Sequence, residues 1–347
     1  MTRRALLVAA GRLSPCSVAA LVLAGAVAAQ TPLAPEHAML KEMAGNWSVT
    51  SSLATALGAS ASPQLETSEL VCGGLWLESV TRAGNSEMFW LTGFDPTQKR
   101  FVRLRVAGRE DPVLEDGEFD AAQRTITWRG QSDVAKRLGY RVVVALPTDA
   151  PRVERTFARA SAKDHPMAER VFHRAKEGER ALPKREQPKA PLPEHELFAQ
   201  LAGEWECALT TTIPGFDKAM RSTGRMREEV VGDGCWLRSS FEGDFSGSKI
   251  EGRGLMGFDQ KQKRYVRYWV DSGSAVFAIS TSALDEGGKK MIGSGVTQMP
   301  GGEVTIAEEV ELGADLRRVV QRLRTSEGKD GGTFEMVMTR RPPAKDK

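Results

Sequence analysis

The sequence predicts an all-β protein made of two tandem antiparallel β-barrels, each entered by a short helix. Three observations carry this. The chain repeats itself end to end, the repeat is the size of a domain, and each repeat consists of short runs broken by turn residues at about ten-residue spacing.

The repeat is read directly. Pro35-Glu36-His37 through Gly45-Asn46-Trp47 returns as Pro193-Glu194-His195 through Gly203-Glu204-Trp205. Gly73-Gly74-Leu75-Trp76-Leu77 returns as Asp233-Gly234-Cys235-Trp236-Leu237, and Gly93-Phe94-Asp95 as Gly257-Phe258-Asp259. The period far exceeds the 20–50 residues of a solenoid unit. Each copy has about 145 residues, enough for its own core. The expected division is a signal peptide over 1–29, barrel one over 33–175, a basic Pro-rich linker over 176–192, and barrel two over 193–342.

The leader comes first. Arg3, Arg4 and Arg12 precede an uncharged run, Val18 to Ala29, that ends in small residues. This is the pattern of a cleaved secretory signal, too short to span a membrane, so the protein is expected to be exported to the periplasm or secreted. Its removal takes three of 48 basic side chains and none of 45 acidic ones, leaving 45 of each and no net charge. A nucleic-acid binder would carry a concentrated basic face. The one basic concentration, Arg174 to Lys189, reads as solvated linker, so no nucleic-acid partner is expected.

Each copy then opens on a helix. Met39, Leu40, Met43 and Ala44 form a stripe at helical spacing, as do Leu197, Phe198, Leu201 and Ala202. Pro35 and Pro193 suit the first turn, and Gly45 and Gly203 suit a left-handed residue just past the end. Strands follow. Asp95-Pro96-Thr97 and Asp259-Gln260-Lys261 predict tight hairpin turns, and 119–124 and 284–289 predict a second pair. Val102, Leu104 and Val106 alternate with Arg103, Arg105 and Ala107, as Val266, Tyr268 and Val270 do with Arg267, Trp269 and Asp271. The apolar phase is expected to be buried. With about eight to ten strands per copy and no helical crossovers, closure into an up-and-down barrel removes exposed edges. A two-sheet sandwich is the alternative.

The helix stripe with His195, Gly203 and Trp205, then Gly234, Trp236 and Leu237, then Gly257-Phe258-Asp259 and Trp269-Val270-Asp271, resembles the bacterial domain-of-unknown-function family 1579. The resemblance covers both copies and implies lipocalin-like barrels; it implies no activity. Copy one keeps His37, Gly45, Trp47, Trp76 and Gly93 but has Arg105 and Ala107 where copy two has Trp269 and Asp271. In lipocalin-like barrels the tryptophan after the helix closes the floor against an arginine of the last strand. The resemblance therefore gives Trp47 with Arg174, and Trp205 with Arg340, a structural role.

The chemistry-bearing residues are few. Trp236, Tyr268, Trp269 and Asp271 are the candidate ligand-binding residues, an acid beside aromatics suiting a mostly apolar pocket with few polar groups. His37 and His195 lack partner ligands at metal spacing and are expected to pack at the helix start. His173, unmatched in copy two, is weak grounds for haem; His165 is expected in solvent. Glu308, Glu309 and Glu311 read as a solvated run, and Gly252, Gly254 and Gly257 as sheet bends. Cys207 and Cys235 occupy positions that are apolar in copy one. They are either small core hydrophobes or a disulfide worth roughly 3–4 kcal/mol in the chain-entropy model, while Cys72 is expected to be free. No catalytic constellation, metal site or cofactor motif is found. The expected function is binding of a small apolar or amphipathic molecule, without catalysis, with copy two as the working copy. A scaffold protein with plugged barrels is the alternative, and a carboxylate-dependent enzyme in copy two the lesser one.

Overall fold

The computed structural model describes residues 33–53, 62–83, 86–131, 135–136, 138–160, 163–176, 191–212, 218–245, 248–299, 302–313, 315–325 and 332–342. The expected signal peptide and nearly all of the expected linker lie outside these residues.

Copy one begins with helix α1 (His37–Met43) and continues through β1 (Gly45–Leu53), β2 (Ser62–Val71), β3 (Trp76–Ala83), β4 (Ser86–Asp95), β5 (Arg100–Ala107), β6 (Val113–Asp120), β7 (Thr125–Gly130), β8 (Arg141–Ala145), β9 (Arg152–Ala160) and β10 (Lys163–Arg174). Copy two begins with helix α2 (Glu196–Leu201). It continues through β11 (Gly203–Thr212), β12 (Met220–Val231), β13 (Trp236–Phe245), β14 (Ser248–Asp259), β15 (Arg264–Asp271), β16 (Ser274–Leu284), β17 (Lys290–Met299), β18 (Gly302–Leu312), β19 (Arg318–Thr325) and β20 (Thr333–Arg340). Each set of ten strands is an antiparallel meander. It closes by pairing its first strand with its last, Trp47 opposite Arg174 and Trp205 opposite Arg340. Closure excludes the sandwich.

The turns obey local side-chain chemistry. Asp95 Oδ1 accepts the backbone N–H groups of Thr97 and Gln98 at 2.9 and 3.0 Å, and Asp259 Oδ1 those of Lys261 and Gln262 at 2.8 and 3.0 Å. Such Asx contacts pin the tip and hence the register of the flanking strands.

One feature at the helix end differs from expectation. Gly45 and Gly203 have φ of +126° and +139°, an extended mirror-image conformation rather than the left-handed helical one. The cause is the arginine of the last strand, which crosses directly over the glycine. A Cβ on Gly203 would meet Arg340 Nη1 at 2.6 Å, and one on Gly45 would overlap Arg174. The guanidinium then reaches the carbonyls left open at the helix C-terminus. Arg174 donates to Ala44 O at 2.7 Å and Glu42 O at 3.2 Å, and Arg340 to Ala202 O at 2.7 Å and to Gln200 O. The indoles do the same: Trp47 Nε1 donates to Met43 O and Trp205 Nε1 to Leu201 O, both at 3.0 Å. The arginine carbons lie 3.8 Å from the Trp47 ring and 4.3 Å from the Trp205 ring. A cation stacked on an aromatic ring at the negative end of a helix is favoured on both counts.

The apolar phase of β5 and β15 is buried, but not inside the barrels. Leu91, Leu104 and Val106 of barrel one pack with Leu255, Tyr268 and Val270 of barrel two in one shared cluster. The contact is nearly reciprocal. Trp76 Nε1 donates to Ser274 O of the other barrel and Trp236 Nε1 to Gly108 O, both at 3.0 Å. Glu251 accepts from Gly73 N at 3.4 Å, and Glu87 from Gly232 N at 3.3 Å. The opposite phase, the one rich in charge, therefore faces the barrel interiors.

Candidate ligand cavity in the second barrel

In barrel two the inward phase encloses a cavity of about 310 Å³, within the range of small-molecule sites. Its walls are mostly apolar: Leu209, Met226, Phe241, Phe334, Met336 and Met338 contribute. Leu201, Trp205 and Val319 belong to the same core as these walls. Trp269 lies flat on the wall because β14 offers no side chain beneath it; a Cβ on Gly254 would meet the ring at 2.9 Å, and one on Gly252 would overlap it. Gly257 clears space for Trp236 in the same way, at 2.5 Å. These glycines make room for aromatic rings, in place of the sheet bends that the sequence suggested.

Three carboxylates line this space. Glu228 is 9% exposed, and Ser239 Oγ donates to it at 2.8 Å. Burial pushes its pKa from 4.5 up to about 7, against the weaker opposing pull of Ser239 and Arg267. Asp271 accepts from Trp269 Nε1 at 3.1 Å and from Gly273 N at 2.8 Å. Burial raises its pKa as well, and those hydrogen bonds limit the rise. Glu308 is buried and receives Arg267 Nη1 and Gln321 Nε2, each at 2.8 Å. One interior guanidinium thus serves Glu308 directly and Glu228 only at longer range. Arg324, also on the lining, is an exposed side chain.

The equivalent interior of barrel one is filled with ion pairs. Arg103 Nε meets Glu115 at 2.7 Å, Arg170 meets Glu66 at 3.5 Å and Glu154 at 3.4 Å, and Arg152 pairs with Glu66. Burial alone would raise the carboxyls of Glu66 and Glu154, yet the surrounding arginines hold both below the ordinary value. Arg152 also stacks 3.6 Å from the Phe172 ring. Strand pairing identifies the counterparts in barrel two. Glu66, Glu115, Arg152, Glu154 and Arg170 correspond to Met226, Ser280, Val319, Gln321 and Met336, while Arg103 corresponds to Arg267. Barrel two lacks this network, and Met226, Ser280, Gln321 and Met336 at its positions line the cavity.

The sequence-predicted residues separate accordingly. Trp269 and Asp271 line the cavity. Trp236 and Tyr268 do not; both face barrel one in the shared cluster, because they lie on the outward phase. Glu309 and Glu311 are on the outer face with Arg322, at 3.1 and 3.3 Å, but Glu308 points inward, so the solvated reading fails for that residue. His195 is buried against Phe198 and Phe258, and burial holds its pKa below the usual imidazole value. His37 is buried beside Phe94. His173 and His165 are exposed. Cys207 and Cys235 are free thiols in different clusters, one inside barrel two and the other between the barrels, so the disulfide alternative is ruled out; Cys72 is free too. Among the described residues no group of three or more metal-ligating side chains forms, and no helix is long and apolar enough to cross a membrane.

The chain belongs to the family described as Protein of unknown function (DUF1579), which matches residues 32–174 and 190–340, one match on each barrel. No curated protein matches it. Among solved structures it is similar to the S-type phycobiliprotein lyase CPES from Guillardia theta, at 14% identity and TM-score 0.32, covering 45% of this chain and 96% of that one. It is also similar to a protein of unknown function of the DUF3598 family from Nostoc punctiforme PCC 73102, at 11% identity and TM-score 0.23, covering 89% and 100%. A third, a putative AttH from Nitrosomonas europaea, has 9% identity and TM-score 0.15, covering 85% and 91%.

Proposed function

We propose that this is an exported binding protein that holds a small amphipathic molecule, without catalysis, inside its second barrel. The first barrel serves as the docked structural partner. The observation that carries the reading is the contrast between the two interiors: the same inward positions hold ion pairs in copy one and, in copy two, Met226 and Met336 on a cavity wall with Val319 in the core beside them. Large apolar surface around a few convergent polar groups is what a pocket for an amphipathic molecule requires. Export rests on the leader over 1–29.

The test is native mass spectrometry of the full chain from its own host, read for a retained small molecule. It is paired with titration of the purified protein with Nile red, a neutral apolar dye. One dye per chain is expected, and Ala278→Trp, which fills the cavity from β16, should abolish it. Dye binding that survives Ala278→Trp in a folded variant would place the site elsewhere. N-terminal sequencing of the host protein should begin near residue 30; an intact leader would refute export.

A further inference from the structure

We infer that the molecule held in the second barrel carries a cationic group, an amine or quaternary ammonium, seated beside Glu228 and against Trp269. This rests on the binding reading above and adds the charge of the occupant. The first ground is charge balance. Among the described residues Glu228, Asp271 and Glu308 line the cavity with two arginines, Arg324, whose side chain is exposed, and Arg267, which is half-buried and already engaged by Glu308 at 2.8 Å. A buried charge needs a partner, and Asp271 has its own donors in Trp269 and Gly273. Glu228 has the Ser239 hydroxyl and, among the described residues, no arginine or lysine in ion-pair contact.

The second ground is the comparison within the chain. In barrel one each buried glutamate of the network touches an arginine: Glu66 has Arg152 and Arg170, Glu115 has Arg103, and Glu154 has Arg103 and Arg170. The three cavity acids of barrel two stand where barrel one has Ser68, Ala107 and Val142. Acidity thus accompanies the cavity and is absent from the same positions in the filled barrel. The third ground is Trp269, whose ring lines the same space and offers a negative face to a cation. An anionic amphiphile meets the reverse in the interior: beside Arg267 its carboxylate would have to displace Glu308 and lie among the remaining acids, which leaves it the exposed Arg324 of the lining.

The experiment uses the full chain at pH 8 and three probes of equal length, decylamine, decanol and decanoate, each followed by calorimetry and by displacement of Nile red. Decylamine is expected to bind ~10- to 100-fold more tightly than decanol, the range of a hydrogen bond to a charged group, with decanoate weakest. In Glu228→Gln, decylamine should fall to the level of decanol, with decanol itself unchanged. Equal binding of amine and alcohol, or tighter binding of decanoate, overturns the inference while leaving the binding reading intact. So does an amine preference that survives Glu228→Gln. Failure of all three probes to bind overturns both. The ranking in the unaltered chain decides the charge even where the variant fails to fold.

Discussion

Glu228→Gln also reports on the empty protein, through the pH dependence of its stability. The Glu228 carboxyl is pushed by burial from 4.5 to about 7. In the unfolded chain it loses its proton near 4.5, but in the folded barrel only near 7. Between those values unfolding releases a proton, so stability falls as pH rises. The contribution is whole below about pH 4.5 and gone above about pH 7. Its full span is roughly 3 kcal/mol, from 1.36 kcal/mol per tenfold change in proton affinity.

Glutamine keeps the shape and has no proton to lose. Unaltered protein and variant should therefore melt similarly at pH 4.5 to 5, and the variant should become the more stable by up to roughly 3 kcal/mol at pH 8. Other groups also link stability to pH. Asp271 acts in the same sense and His195, depressed by burial, in the opposite one. Both are present in each protein, so the difference between the two isolates Glu228. The groups that face or flank it, Arg267, Ser239, Glu308 and Cys207, are likewise unchanged. Urea unfolding followed by tryptophan fluorescence at pH 5, 6.5 and 8 measures the difference. A constant offset across the three values would refute the claim that this carboxylate is buried without a full counter-charge.

Two further outcomes are expected. Trp205→Ala removes a fully buried ring together with its hydrogen bond to Leu201 O and its stack on Arg340; it should cost about 3–5 kcal/mol, and an unchanged melting temperature would refute the floor-closing role. Cys72, Cys207 and Cys235 should resist a thiol reagent in the folded protein at pH 8, since burial raises all three pKa values, that of Cys207 to about 12, and all should react in denaturant. Rapid labelling of any of them would contradict its burial.

Much of the fold was legible because the chain states it twice. The helix stripes and the Asx turns recur at matched positions, and local chemistry fixes each of them; the Trp–Arg pairs, far apart in sequence, were given by the family resemblance. What the sequence concealed was which side of a strand faces the barrel. Val266, Tyr268 and Val270 mark a dry surface, but the contact between barrels is as dry as an interior, so alternation alone could not distinguish them. Glu228 was hidden for a related reason. It lies on β12 among Arg225, Arg227 and Glu229, and a charged strand gives no sign that one of its acids turns inward. Only the sister position, Ser68 in the same pairing register, separates that acid from its neighbours.

The two barrels differ inside because they agree outside. The docking contact draws on the outward faces of β4 and β5 in one copy and of β14 and β15 in the other, and the matched positions Leu91 and Leu255, Leu104 and Tyr268, Val106 and Val270 are apolar in both. The inward faces carry no such obligation, and one cross-strand pair shows how they diverged. In barrel one Trp90 faces Arg105; in barrel two Gly254 faces Trp269. Each pair retains one indole but carries it on the opposite strand. In copy one Trp90 stacks at 5.1 Å on Arg170, a member of the ion network. In copy two the indole is on β15, where its N–H holds Asp271 and its ring lines the cavity. A duplicated barrel whose outer face is committed to its twin can fill one interior with charge pairs and leave the other for an occupant, without altering the contact that joins them.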